Sequence, residues 1–183
     1  MEIKSDALTN TVRDLLQKYS ARELPLTKTE KGNRADAASI QSTSPNLLFP
    51  GARAPEAAVS GLLLLAGCWE ESHQVSQDIK STEGSYWHAI AHRVEPDSSN
   101  AGHWFRRVGE HGIFAELRRR SSEILESTGT PWALKPAWDP FLFIEWCEQA
   151  RRAPGTKKER AALEIQRAEW DLLFEWCAFA AHD

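Results

Sequence analysis

Residues 67–108 read GCWEESHQVSQDIKSTEGSYWHAIAHRVEPDSSNAGHWFRRV. In this stretch Trp87, Ile90, Ala91 and Val94 recur at i, i+3, i+4 and i+7, the spacing of one face of a helix. Beyond an intervening turn, Ala101, Trp104, Phe105 and Val108 repeat that pattern. No strand signal competes, so the block reads as three consecutive helices over 69–80, 84–94 and 98–108. The connection through Lys80 to Glu83 is short, which predicts that the first two run as antiparallel neighbours.

Outward from this block the helical reading continues. Apolar periodicity predicts helices over 55–67, 111–126, 139–152 and 157–181, with Gly109 and Gly112 marking a termination. Near the start, Leu8, Val12, Leu15, Leu16 and Tyr19 predict an amphipathic arm over 6–19, capped by Asp6. Between them, residues 20–55 turn to Thr, Ser, Lys, Ala and Pro without sustained periodicity. They predict a long extended loop anchored by Leu47, Leu48 and Phe49. With 183 residues, enough for one core, the expectation is an all-α protein of helical-hairpin packing in a single globular domain with a long N-terminal loop. Residues 1–54 form the N-terminal helix and loop, and residues 55–183 the all-helical domain. The loop has two uses open to it: a lid over a cleft, or a contact with a second copy in a homo-oligomer.

Composition narrows the partners. A formal net charge of −4 gives no general attraction to nucleic acid or anionic lipid. The basic run Arg118, Arg119 and Arg120 sits beside Glu116 and Glu123, as a solvated helix face would. The longest apolar run, residues 61–69, is about half of what a bilayer crossing needs, so no transmembrane helix is expected. The opening MEIKSDALTNTVRDLL lacks the apolar core of a secretory signal, and a cytoplasmic protein is expected. Cys68, Cys147 and Cys177 are widely spaced in apolar surroundings and read as small buried hydrophobes.

Two resemblances bear on the block. AGCWEESH, around Gly67, resembles the turn and second-helix entry of a tetratricopeptide hairpin, and EPDSSNAGHWFRRVGEHG resembles the same element of Sel1-like repeats. Ala89 and Ala101 take the small positions there, whereas Ser60 and Ser72 depart from the pattern. The likeness implies tetratricopeptide-like packing of two hairpins, short of a solenoid. FIEWCEQA at 143–150 also echoes LFEWCAFA at 173–180, as two core helices of similar taste would. More extensively, ESHxxSQ followed by GSYWHxIxHRxExDxxNAxxWFRRVG resembles an uncharacterised family of bacterial and fungal proteins. That likeness extends to WDPF and to EIQxxEWxLLF at 164–174, and it implies no activity. Gly102-His103 stand where the family pattern has Lys-Tyr, which sets His103 apart from the other histidines.

The chemistry of the block lies in its polar residues. His88 and His92, four apart, share one helix face, and Glu70, His73 and Gln77 stack on the preceding helix, so His73 is expected to face the pair. Three readings follow. The first is a small-molecule or peptide-binding cleft with His73, His88, His92, Asn100, Arg106 and Trp87 as contacts. Arg106 and Arg107 would fork onto a carboxylate or phosphate, and Trp69, Trp87 and Trp104 would wall the cleft. The second is a metal-dependent, hydrolase-like enzyme, in which His73, His88 and His92, completed by Glu70 or Glu71, hold zinc, manganese or iron. The HxxxH spacing resembles that of DinB-like helical metalloproteins, although HExxH is absent and only one ExxH occurs. The third is a docking module that uses the exposed side of the hairpins and leaves the histidines idle. Against all three stands a purely structural reading, in which Glu70, Glu95 and Asp97 pair with Arg93, Arg106 and Arg107 and the histidines cap carbonyls or bridge helices. Trp132, Trp138, Trp146, Trp170 and Trp176 are assigned to the core. No Ser, Cys or Thr sits in a recognisable nucleophile turn, so no catalytic residue is assigned.

Overall fold

The computed structural model describes residues 8–28 and 32–180. Among these residues every regular element is helical: α1 (Asn10–Lys18), α2 (Arg34–Ser42), α3 (Pro45–Leu48), α4 (Pro55–Leu65), α5 (Trp69–Asp78), α6 (Thr82–Val94), α7 (Ser98–Val108), α8 (Phe114–Thr128), α9 (Pro140–Arg151) and α10 (Lys157–Ala178). The starts are written in capping chemistry. Ser81, Asp97, Asp139 and Thr156 each accept a first-turn backbone N–H, at Gly84, Asn100, Phe141 and Glu159 respectively. Pro45, Pro55 and Pro140 occupy first-turn positions where a missing N–H costs nothing. Gly129 ends α8 in the left-handed conformation, φ 60°.

From α4 to α7 the helices are joined by connections of three residues each, and each packs against the next. α6 lies in the middle of this set, and every one of its residues from Gly84 to Val94 is buried. Its faces are divided by chemistry. Trp87 meets α4 at Gly61 and α10 at Trp170, while His88 and His92 turn toward α5 and α7. On a further face Arg93 reaches α10. There its guanidinium pairs with Glu169, which also accepts from the Tyr86 hydroxyl at 3.0 Å, all three side chains fully buried. Arg93 thus takes its carboxylate from a distant helix, not from Glu95 or Asp97. Cys68, Cys147 and Cys177 are free and buried.

The N-terminal part differs from the extended loop and arm expected of it. Residues 20–55 contain α2 and α3. α2 begins where Asn33 accepts from Ala35 and Asp36, and the Pro45 turn places Leu48 and Phe49 in the core. α1 packs too: Val12 and Leu15 are buried, and its cap is Thr9, whose hydroxyl also donates to the Leu48 carbonyl at 3.1 Å. The expected cap, Asp6, lies outside the described residues. The non-helical residues 20–28 are strapped down by side chains reaching their carbonyls. Arg167 bonds Arg22, Gln166 bonds Leu24 and Pro25, and Arg151 bonds Leu26. The strap ends with the Lys28 amide donating to the Val94 carbonyl at 3.1 Å, at the last residue of α6.

Candidate metal centre

His73 comes from the middle of α5, and His88 and His92 from successive turns of α6. The three rings meet because the connection between the helices is only Ile79 to Ser81. His88 is the hub. Its Nε2 lies 3.1 Å from His73 Nε2 and 3.0 Å from His92 Nε2. One nitrogen from each of the three comes within 4.8 Å of the others, so this group could hold a metal ion. His88 is 1% exposed and His92 9%, while His73 is the partly open member.

The other ring nitrogens decide the protonation pattern. Ser76 Oγ donates to the His73 carbonyl at 3.0 Å, which leaves its lone pair for His88 Nδ1, 3.2 Å away. His88 therefore carries its proton on Nδ1. His73 Nδ1 and His92 Nδ1 each lie 3.7 Å from a different oxygen of Glu95, and His92 Nδ1 is also 3.8 Å from Asp97 Oδ2. At 3.7 Å neither Nδ1 is hydrogen-bonded to Glu95, and His92 Nδ1 has no hydrogen-bond partner; the three Nε2 atoms turn toward one another around that of His88, which carries no proton. Burial, with the positive charge a protonated His73 or His92 would add, pushes His88 down to about 3. Burial also lowers His92, with His73 adding to the effect and Glu95 and Asp97 opposing it. Both are therefore neutral at pH 7, the form that binds metal. The Trp104 ring closes one side, 4.2 Å from His88, and the Arg107 guanidinium lies 4.7 Å over that indole.

The remaining site candidates lie elsewhere. Glu70 is exposed, 3.7 Å from Lys28 Nζ, and is not in the cluster with the three histidines. Asn100 stands one remove out, its amide donating to Asp97 at 2.8 Å. Arg106 is exposed on α7. Trp87 is fully buried, its ring against Trp170 and the Gly61 backbone, and so lies in the core and not along a cleft. Three participants were absent from the candidate set. Glu95 follows His92 at i+3, a spacing that could have signalled it. Ser76 follows His73 at i+3 likewise. Lys28 gave no signal, because nothing local ties it to a helix it meets 67 residues later.

Compared with protein-family models, curated protein sequences and solved structures, the chain matches none.

Proposed function

We propose that this protein binds a transition-metal ion through the Nε2 atoms of His73, His88 and His92. The observation that supports this most is the convergence of three imidazole Nε2 atoms, that of His88 lying 3.1 Å from His73 and 3.0 Å from His92. With all three rings in the Nδ1–H form their lone pairs would face one another, and a cation among them would turn that repulsion into binding. The spacing suits a metal: Zn–N bonds of about 2.0–2.1 Å put tetrahedral donors roughly 3.4 Å apart, so the two separations from His88 need to widen by only a few tenths of an ångström. Three imidazoles without a carboxylate favour zinc over manganese. Because such donors leave the ion its full charge, a water in the open position would lose its proton near neutral pH, and hydrolytic chemistry is the activity this centre suits.

Elemental analysis of the untagged protein tests the reading. One equivalent of zinc per chain is expected, and none in His88→Ala. A parent chain that takes up no zinc, iron or manganese after dialysis against each would overturn it.

A second reading, a small-molecule cleft for an anion, draws on one observation: among the described residues neither Arg106 nor Arg107 lies within ion-pair distance of a carboxylate. A thermal-shift series with phosphate and acetate checks it. Stabilisation that vanishes in Arg107→Ala supports an anion contact, and stabilisation unchanged there removes it.

A further inference from the structure

Glu95 is the C-cap residue of α6, at the end of a helix where the aligned peptide dipoles disfavour a carboxylate. Its surroundings compensate. Oε1 is 3.0 Å from Lys28 Nζ and 3.7 Å from His73 Nδ1, and Oε2 is 3.7 Å from His92 Nδ1. One carboxylate therefore stands at ion-pair distance from two of the three converging histidines, just beyond hydrogen-bond reach, and His92 Nδ1 has no hydrogen-bond partner. Asp97 is placed less well for this work, being more exposed and already holding the backbone and side-chain amides of Asn100 at 3.0 and 2.8 Å.

Lys28 is fixed in position. Its backbone N–H is bonded to Val94, and the three preceding apolar residues, Leu24, Pro25 and Leu26, have their carbonyls held by Gln166 and Arg151 from α10 and α9. The ammonium is thus delivered to Glu95 by the strap itself.

We infer that Glu95 is the positioning carboxylate of the histidine centre, fixing two ligands at once in the Nδ1–H form, and that Lys28 restrains the centre's affinity through it. This rests on the metal-binding reading. A carboxylate drawn onto an Nδ1–H makes the opposite nitrogen a stronger donor, and outer partners of this kind typically change metal affinity 10–100-fold. An ammonium on the same carboxylate drains that effect and adds positive charge close to an incoming cation. The two residues therefore act with opposite sign, which a purely structural ion pair would not do.

The test compares the parent, Glu95→Gln, Lys28→Met and the double variant, stripped of metal, by two measurements. The first is imidazole nitrogen NMR without metal. The parent should show His73 and His92 protonated on Nδ1, and Glu95→Gln should show them mixed or shifted to Nε2. The second is zinc affinity by competition with a chromophoric chelator. Glu95→Gln is expected to weaken binding roughly 10–100-fold, Lys28→Met to tighten it several-fold, and the double variant to bind like Glu95→Gln. Unchanged tautomers and affinity in Glu95→Gln overturn the role of the carboxylate. Weaker binding in Lys28→Met overturns that of the amine. Glu95→Asp, which keeps the charge but not the reach, replaces the amide variant if that variant does not fold, and should weaken binding too. A parent that shows the expected tautomers yet takes up no zinc overturns the metal reading and leaves the assignment of Glu95 standing.

Discussion

At the scale of single residues, burial is what makes an imidazole useful or merely costly. His88 is pushed down to about 3 by burial and by its histidine neighbours. His111, wedged between Tyr86, Phe114 and Trp176 and accepting the Ile113 N–H on Nδ1, is pushed down to about 4, again mainly by burial. Both folded values lie below the ordinary value of about 6.5. As pH falls, the unfolded chain takes up protons that the folded chain refuses. Stability should therefore be flat above about pH 7 and decline from about 6.5 toward 4, at up to about 1.4 kcal/mol per pH unit for each of these groups. Urea denaturation at pH 7.5, 6, 5 and 4 reads this slope, and His111→Phe should make it shallower, the rest coming from His88 and His92. The sequence made the meeting of His73 with His88 and His92 legible, since spacing alone puts the second pair on one face and a short connection brings up the first. Glu70 was drawn in by the same stacking argument. The structure turns it outward to Lys28, because a residue one helical turn before His73 on α5 lies nearer solvent than the α6 surface.

Between elements, the tie from α6 to α10 carries the largest single electrostatic commitment. Arg93 and Glu169 are both fully buried, so removing Glu169 leaves the guanidinium away from water with only the neutral Gln166 amide oxygen at 3.4 Å and the Phe143 ring to answer its charge. Glu169→Ala should cost about 3–5 kcal/mol, whereas Glu116→Ala, which breaks exposed pairs with Arg119 and Arg120, should cost no more than about 1 kcal/mol. Thermal melts of the two variants side by side check the contrast. Gly61 lets the Trp87 ring of α6 pack directly on the α4 backbone, since a β-carbon there would sit 2.6 Å from that ring. Gly61→Ala should destabilise by about 1–3 kcal/mol through overpacking, measured in the same melts. Most helices were readable to within a turn or less of their observed ends, because their apolar residues recur at helical spacing; the caps Ser81, Asp97, Asp139 and Thr156 fix the starts that periodicity alone left approximate. α2 and α3 were not readable. Each is too short for periodicity to rise above the Ser, Thr and Ala around it, and both depend on burying Ala37, Ile40 and Leu48 against a core built from later residues.

For the molecule as a whole, one apolar core runs from Leu8 to Ala178, with Val12, Ile40, Leu48 and Phe49 fully part of it. A chain begun at residue 55 should accordingly lose cooperativity and bind the dye ANS at neutral pH, because the core would lose its N-terminal wall. No helix of the described residues is long and apolar enough to cross a membrane. Ligation should stabilise the entire fold. Zinc at about 100 times its dissociation constant contributes about 2.7 kcal/mol, which for a chain of this size raises Tm by roughly 5–10 °C. Scanning calorimetry with and without zinc should show that rise in the parent and none in His88→Ala.

The connection from Ile79 to Ser81 has a temporal consequence. All three histidines lie within residues 73–92, so every candidate donor has been synthesised before the C-terminal half of the chain, although the residues that pin the Lys28 strap come later. On the metal reading proposed above, a nascent chain would carry all three ligands while still on the ribosome. For the same reason, the hairpin of α5 and α6 is a compact cassette that could be transplanted onto another helical scaffold.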